Sequence, residues 1–428
     1  MNKKLVFIII IGFLAFLSVA FLLNNKKGIA KVNDETDSYG SARRFWSIQA
    51  VDTMKYSRDT ARSEAQNPEF EIEIATQVKN ISDLGATHIA IGTPYDEEFI
   101  PFMKKWVNEA RKNKLKVWYR GNWAGWEEWF EYDKISRSDH LRMTEQFILD
   151  HPELFEDGDI FTPCPECENG GPGDPRQNPN EADVEKYRKF LRDLHQASDK
   201  SFREINKDVH TGYFSMNGDV ARLIMDERTT SRLEDVVVVD HYVKSPELLN
   251  FDVTMYADKS KGKVILGEFG VPIPDIHGDL NDEQQAEWLE KALKLLSENR
   301  NLIGLNYWTA VGGSTEIFKD GRPTLAAEVL KKYYSPKVAE IQIVNELNEP
   351  IEQAVIKYKK ASYKPGKEAK MDILYVDDAP TVSVSASEYD ESIAQVSEGE
   401  LNKIVLMKSD TDFVFSLRKW LAGLGLNL

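Results

Sequence analysis

The residues of this chain that could do chemistry are concentrated in two short stretches. Lys263-Val264-Ile265-Leu266-Gly267-Glu268-Phe269-Gly270 has the short, partly β-branched apolar run of a strand buried on both faces, and it ends on a carboxylate. Upstream, Asp159-Ile160-Phe161-Thr162-Pro163-Cys164-Pro165-Glu166-Cys167-Glu168-Asn169 repeats the pattern before Gly170, Gly171 and Gly173. An acid where a buried strand emerges at a sheet rim has no packing role; it is paired with a base or reserved for chemistry. Two such acids facing each other, with carboxyl groups about 5 to 5.5 Å apart, suit retaining cleavage of a glycosidic bond. One carboxylate attacks the anomeric carbon while the other protonates the leaving oxygen. Like charges held that close also raise one pKa, as the acid role requires near neutrality.

Competing chemistries lack their signatures. The histidines, at positions 88, 140, 151, 195, 210, 241 and 277, form no H-x-H and no H-E-x-x-H, so neither a metal nor another cofactor is expected. No glycine-rich phosphate loop follows a first strand, and there is no G-x-S-x-G elbow. A net charge of -16 disfavours a nucleic-acid partner and fits a neutral or cationic one better. The only cysteines, Cys164 and Cys167, bracket Glu166. In an exported chain they suit a small disulfide bracing the loop; the alternative is a pair of free thiols, and zinc would need two further ligands from elsewhere.

The elements that must position these acids alternate from Arg44 onward. Strand patterns are read at Phe45 to Val51 (ending near Asp52), Thr87 to Gly92, Leu115 to Arg120, the Asp159 stretch, Val209 to Phe214, Val236 to Asp240, the Glu268 stretch and Leu302 to Trp308. Helical spacing separates them, as at Phe70, Ile74, Val78 and Ile81, at Glu181 to Ile205 and at Asp282 to Glu298, and Leu325 to Tyr333 closes the series. Eight such units argue a (β/α)8 TIM barrel over residues 44–335, because parallel strands need crossovers and a doubly wound sheet rarely runs to eight. In that barrel both acidic stretches lie at the C-terminal face, where reactive groups sit.

The flanks read differently. Leu5 to Leu23 is uninterrupted apolar or small, long enough at about 28 Å to span a bilayer core, and lysines flank it. Residues 1–23 are therefore expected to be a signal anchor or a cleaved signal peptide, and 24–43 a tether, making the rest exported, membrane-anchored or secreted. After Pro336, period-two runs such as Glu340 to Val344, Ala354 to Tyr358 and Thr381 to Ser385 predict a β sandwich over 336–428. Val344-Asn345-Glu346-Leu347-Asn348-Glu349-Pro350-Ile351 resembles the opening hairpin of carboxypeptidase-regulatory-like sandwiches; an immunoglobulin-like arrangement is the alternative.

The barrel as a whole resembles the clan A glycoside hydrolases, especially the cellulase and mannanase type of family five. The resemblance rests on Gly267-Glu268-Phe269-Gly270 at strand seven, Asp240-His241-Tyr242 at strand six, Asn306-Tyr307-Trp308 at strand eight and an acid after strand four. It implies a retaining hydrolase of oligo- or polysaccharides with β linkages, Glu268 as nucleophile and Glu166 or Glu168 as acid/base. Glu166 is preferred because it leaves the strand first. Glu168 and Asn169 then bind sugar hydroxyls, Tyr242 hydrogen-bonds the nucleophile, and Trp308 floors the reactive subsite. His241, Arg120, Asn122, Trp123, Asn217 and Asp52 are further substrate-binding candidates at strand ends, with a rim salt bridge to Arg120 the bland alternative for Glu268. Trp126 and Trp129 serve either as an inward helix face or as a stacking platform. The clan has Asn before its acid/base Glu, whereas Pro165 precedes Glu166 and Cys167 precedes Glu168. That departure motivates a second expectation, a non-catalytic glycan-binding protein on a glycosidase-like barrel.

Overall fold

The computed structural model describes residues 43–359 and 361–409. The apolar segment at 1–23 and the tether, apart from its last residue, lie outside the described residues. Among the described residues, no helix is long and apolar enough to cross a membrane. The described residues form two compact units, Arg43–Val338 with Leu374–Asp378, and the rest of the described residues.

The first unit is built on eight parallel strands: β1 (Ile48–Asp52), β2 (His88–Ile91), β3 (Lys116–Tyr119), β4 (Ile160–Phe161), β5 (Ser215–Asn217), β6 (Val236–Asp240), β7 (Lys263–Phe269) and β8 (Leu302–Tyr307). They hydrogen-bond in the order β4-β3-β2-β1-β8-β7-β6-β5. The ring closes between β4 and β5 through a bridge of Ile160 with His210, where the Phe161 N–H donates to the His210 carbonyl at 2.8 Å. Alternation sorts the side chains into two layers. Ile48, Ala90, Trp118, Ile160, Val238 and Ile265 fill the barrel. Val51, Val117, Val239, Leu266 and Leu305 face outward onto the helices.

The helices start where their caps dictate. Ser136 caps Arg137–Asp150 and Asn281 caps Asp282–Leu296, each in a capping box, with Asp139 and Gln284 returning the bond. Asn180 caps the long helix Glu181–Glu204, Ser245 caps Pro246–Ser260 and Thr324 caps Leu325–Tyr334.

The fifth strand corrects the reading from periodicity. Val209 to Phe214 is not a strand; His210 contributes a single bridge and β5 begins at Ser215. The cause is a contact from outside the stretch: the N–H groups of Thr211 and Gly212 both donate to the Glu234 carboxylate at 2.8 Å, so they are lost to any ladder.

Most of a three-stranded sheet, Lys370–Tyr375 beside Lys337–Val344 beside Asn402–Val405, falls in the second unit. Its four-stranded sheet runs Ala361–Tyr363, Val355–Tyr358, Thr381–Ser385 and Ser392–Gln395. Ile341 and Ile343, and Val382 and Val384, are buried while their neighbours are more exposed, which is the period-two pattern of half-buried strands.

Candidate active site

Glu268 leaves β7 through an irregularity. Val239 pairs with Leu266 and Asp240 with Glu268 on one side, while Leu266 pairs with Leu305 and Phe269 with Tyr307 on the other, so the register shifts around Gly267. Such a bulge re-aims the side chain beside it and releases backbone groups from the ladder. The Gly267 carbonyl instead accepts from Arg120 Nη1 and Asn306 Nδ2, both at 2.9 Å. Glycine is required here because a Cβ would overlap Asp240 Oδ1.

Arg120, just past the end of β3, is buried at the centre of the mouth. Its Nη2 lies 2.7 Å from Glu268 Oε1 and 3.2 Å from Asp240 Oδ2, and its Nε lies 3.7 Å from Asp52 Oδ2. Burial works against the guanidinium charge, but Asp240, Glu268 and Asp52 more than offset it and raise the pKa. One cation facing three carboxyls leaves an excess of negative charge. Accordingly, Asp52 is pushed up to about 7 and Asp240 to about 8, in both cases chiefly by burial, against the pull of Arg120 and with repulsion from Glu268 adding to it. The other Glu268 oxygen, Oε2, accepts from the Tyr242 hydroxyl at 2.9 Å. The Tyr242 ring meets Trp308 edge-on, with centroids 6.2 Å apart. Asp52 thus sits behind Arg120, with 5% of its surface exposed.

Glu166 stands opposite, in the loop after β4. Its N–H donates to the Ser215 carbonyl at 2.9 Å, and its backbone is left-handed at φ 42°. Cys164 and Cys167 are joined in a disulfide on either side of it. Non-glycine residues in this conformation persist where surrounding structure over-determines them, which is frequent at functional sites. Its carboxyl pKa is raised to about 9, first by burial and then by the negative charges of Glu268, Asp240 and Glu168. The Asn169 amide donates to its Oε2 at 2.9 Å.

Glu168 is differently placed. Its Oε1 accepts from the backbone N–H and the side-chain amide of Asn217 at 2.7 and 3.0 Å, and Tyr187 donates to Oε2 at 3.3 Å. The carboxyl therefore ties the β4 loop to the end of β5. Asp159, at the start of the same stretch, lies at the opposite end of the strand and pairs with Arg111.

Several candidates from the sequence are turned into the protein. Asn122 is fully buried; its Oδ1 accepts from the Trp123 N–H at 2.9 Å and faces His140 Nε2 at 3.2 Å. Trp123 is buried against Tyr95 and Phe147, with its indole N–H on Thr144. Trp126 stacks on Phe190, which makes it an inward face, while Trp129 lies under the Arg58 guanidinium. His241 pairs through Nε2 with Asp252 at 2.8 Å, and burial lowers its pKa. The structure brings Glu166, Glu268, Arg120, Tyr242, Trp308 and Asn169 to one mouth and places Asp52, Asn122, Trp123 and His241 behind it, with Asn217 at the β4–β5 joint. Asp240 was missed as a site residue, although an acid closing the run Val236-Val237-Val238-Val239 is the same signal that singles out Glu268.

A polar cleft of about 260 Å³ is lined by Trp126, Glu127, Glu128, Lys134, Glu168 and Asn169, among others. Glu127 in its wall is raised to about 7, chiefly by burial. Among the described residues, no group of three or more His, Cys, Asp or Glu is arranged to hold a metal ion.

No protein-family model and no curated protein matches the chain. Solved structures do. It is similar to a GH5_18 protein from Streptomyces cattleya, crystallised with Manb1-4GlcNAc, at 12% identity over 70% of this chain and 85% of that one, TM-score 0.51. It is also similar to the GH5_18 protein of Bifidobacterium longum in complex with the same saccharide (12% identity, 71% and 84% coverage, TM-score 0.48). Bacteroides uniformis beta-glucuronidase 2 matches at 10% identity over 84% of this chain, which spans 46% of that protein's length (TM-score 0.44). The eight-stranded parallel barrel is the fold shared with the Streptomyces cattleya GH5_18 protein, as the resemblance read from the sequence implies.

Proposed function

We propose that the barrel is a retaining glycoside hydrolase acting on β-linked oligo- or polysaccharides, with Glu268 as nucleophile and Glu166 as acid/base. The observation that carries this reading is the unequal treatment of two acids at one mouth. Glu268 receives a donor on each oxygen, Arg120 and Tyr242, which suits a carboxylate, while Glu166 has burial and like charges pressing a proton onto it. Glu168 is the poorer acid/base because Asn217 and Tyr187 already engage both of its oxygens.

In the first step Glu268 attacks the anomeric carbon as Glu166 gives its proton to the departing oxygen, leaving a glycosyl ester on Glu268. In the second, Glu166, now a carboxylate, takes a proton from water, whose oxygen displaces Glu268 and restores the starting state. Tyr242 and Arg120 hold the nucleophile in line, and Trp308 offers a ring face to the sugar. The apolar segment at 5–23 and the Cys164–Cys167 bridge favour an exported protein, anchored or secreted. We assign the two-sheet unit an accessory role.

The test is turnover of β-glucans, β-mannans and xylans, with the product anomer followed at early times. Glu268→Ala and Glu166→Ala should each lower kcat by about 10² to 10⁴, and the product should keep its configuration. Undiminished activity in either variant, or inversion, would overturn the assignment. Pro165 in the place of the clan's Asn favours a second reading, a barrel that binds glycans without cleaving them. Calorimetric binding of an oligosaccharide that stays intact over days would select that reading.

A further inference from the structure

The exits of β1 and β8 run together on the rim. Met54 bridges Val311, and the Lys55 N–H donates to the Val311 carbonyl at 3.0 Å. This places Lys55 beside Trp308: its Nζ lies 5.9 Å from the centroid of that ring and 4.8 Å from the centroid of Tyr56. Of the three cations that follow β1, Arg58 lies 3.5 Å from Asp59 and Arg62 2.6 Å from Glu98, whereas Lys55 has no carboxylate partner among the described residues. Its stem is confined. A Cβ on Gly313 would come 2.8 Å from Lys55 Cδ, and one on Gly312 3.5 Å from Lys55 Cβ, so the glycine pair after β8 forms a close wall along the side chain. Tyr56, 63% exposed, offers a second aromatic face beside the same ammonium.

An ammonium aimed by two rings and a glycine wall, in a mouth otherwise supplied with acids, has a use that a solvated surface lysine does not. The Glu268 carboxylate repels an anionic sugar, and the net charge of the whole chain favours a neutral or cationic partner. A single unpaired cation next to the ring proposed to floor the reactive subsite is the local exception. We propose that Lys55 selects a sugar carrying an anionic group, a carboxylate or a sulfate, at the position that stacks on Trp308; this rests on the glycan-cleaving reading of the site. Lysine acts here as a point charge, compatible with either anion, and the rings hold its nitrogen without neutralising it.

The full chain is assayed on one β-linked oligosaccharide backbone in three forms: bearing uronic acid, carboxyl-reduced to the neutral sugar, and sulfated at O6. The expected result is a kcat/KM for one anionic form about tenfold or more above the neutral form, and whichever anion wins identifies the source of the charge. Lys55→Met should reduce the anionic-to-neutral ratio about tenfold to a hundredfold, mostly through KM, and Lys55→Arg should preserve it. A neutral form used as well as both anionic ones, or a ratio untouched by Lys55→Met, overturns the proposal while leaving the hydrolase reading intact. Calorimetry with the same three probes on the Glu268→Gln protein separates the converse case. Lys55-dependent binding of an anionic form without turnover by the wild type sinks the hydrolase reading and keeps this one, and anionic probes that bind no better than the neutral probe sink this one.

Discussion

The division of labour proposed for Glu166 and Glu268 rests on what each oxygen touches. Glu268 could be found in the sequence because a buried apolar run delivers it to a rim, and Tyr242 and Trp308 could be placed beside it by resemblance. The pairing of Glu268 with Arg120 was among the alternatives the sequence offered, and it is present at 2.7 Å; the wider charge balance with Asp52 and Asp240 was not legible, because it joins β1, β3, β6 and β7 and no single stretch contains it. That balance has a measurable consequence. In the proposed mechanism Glu166 must carry its proton for the first step, so kcat/KM should fall as pH climbs through about 9. Asp240 is one of the negative charges that raise Glu166, so Asp240→Asn should move this alkaline limb to lower pH. A limb that stays in place in the variant would show that some other group sets it.

At the level of elements, most strands and helices were legible because apolar spacing and caps agree, as at Ser136 and Asn281. Strand five was not, because Glu234, distant in sequence, takes its backbone donors. Strand seven follows strict alternation only if Gly267 is skipped: Leu266 and Phe269, three apart, both face the outer layer. The pattern Val-Ile-Leu, Glu-Phe is thus interrupted by one residue whose carbonyl serves Arg120 and Asn306. The other element with a special backbone is the β4 loop, where the Cys164–Cys167 bridge spans the left-handed Glu166. Closing so short a loop removes little chain entropy, so its effect should fall on the aim of the carboxyl rather than on global stability. Reduction, or Cys164→Ser with Cys167→Ser, is expected to lower kcat while moving Tm little, as read by turnover and thermal unfolding on the same samples. A large drop in Tm with kcat preserved in the folded fraction would contradict this.

For the molecule as a whole, Asp52, Asp240 and Glu166 together set a pH dependence of folding. Each has a folded pKa above its ordinary value, at about 7, about 8 and about 9, so the native state binds more protons than the unfolded chain from about pH 4 upward. Stability from these groups is complete below the ordinary carboxylate range and is lost as pH rises through those three values. Tm should therefore be lower at pH 9 than at pH 5, and Asp52→Asn with Asp240→Asn should flatten the difference; a Tm that rises over this interval would contradict the assignment. The ring that holds these acids is not equally strong all round. Most neighbouring strands share several paired residues, but β4 meets the segment leading into β5 through one bridge, Ile160 with His210, and a few loop hydrogen bonds, among them the Glu166 N–H on the Ser215 carbonyl. The seam of the barrel is therefore also where Glu166, the proposed proton donor, is mounted, while Glu268, the proposed nucleophile, stands on a strand paired on both sides. Loosening that seam would widen the gap between the two carboxyls with the rest of the ring still closed, so the machine would lose its timing before it lost its shape.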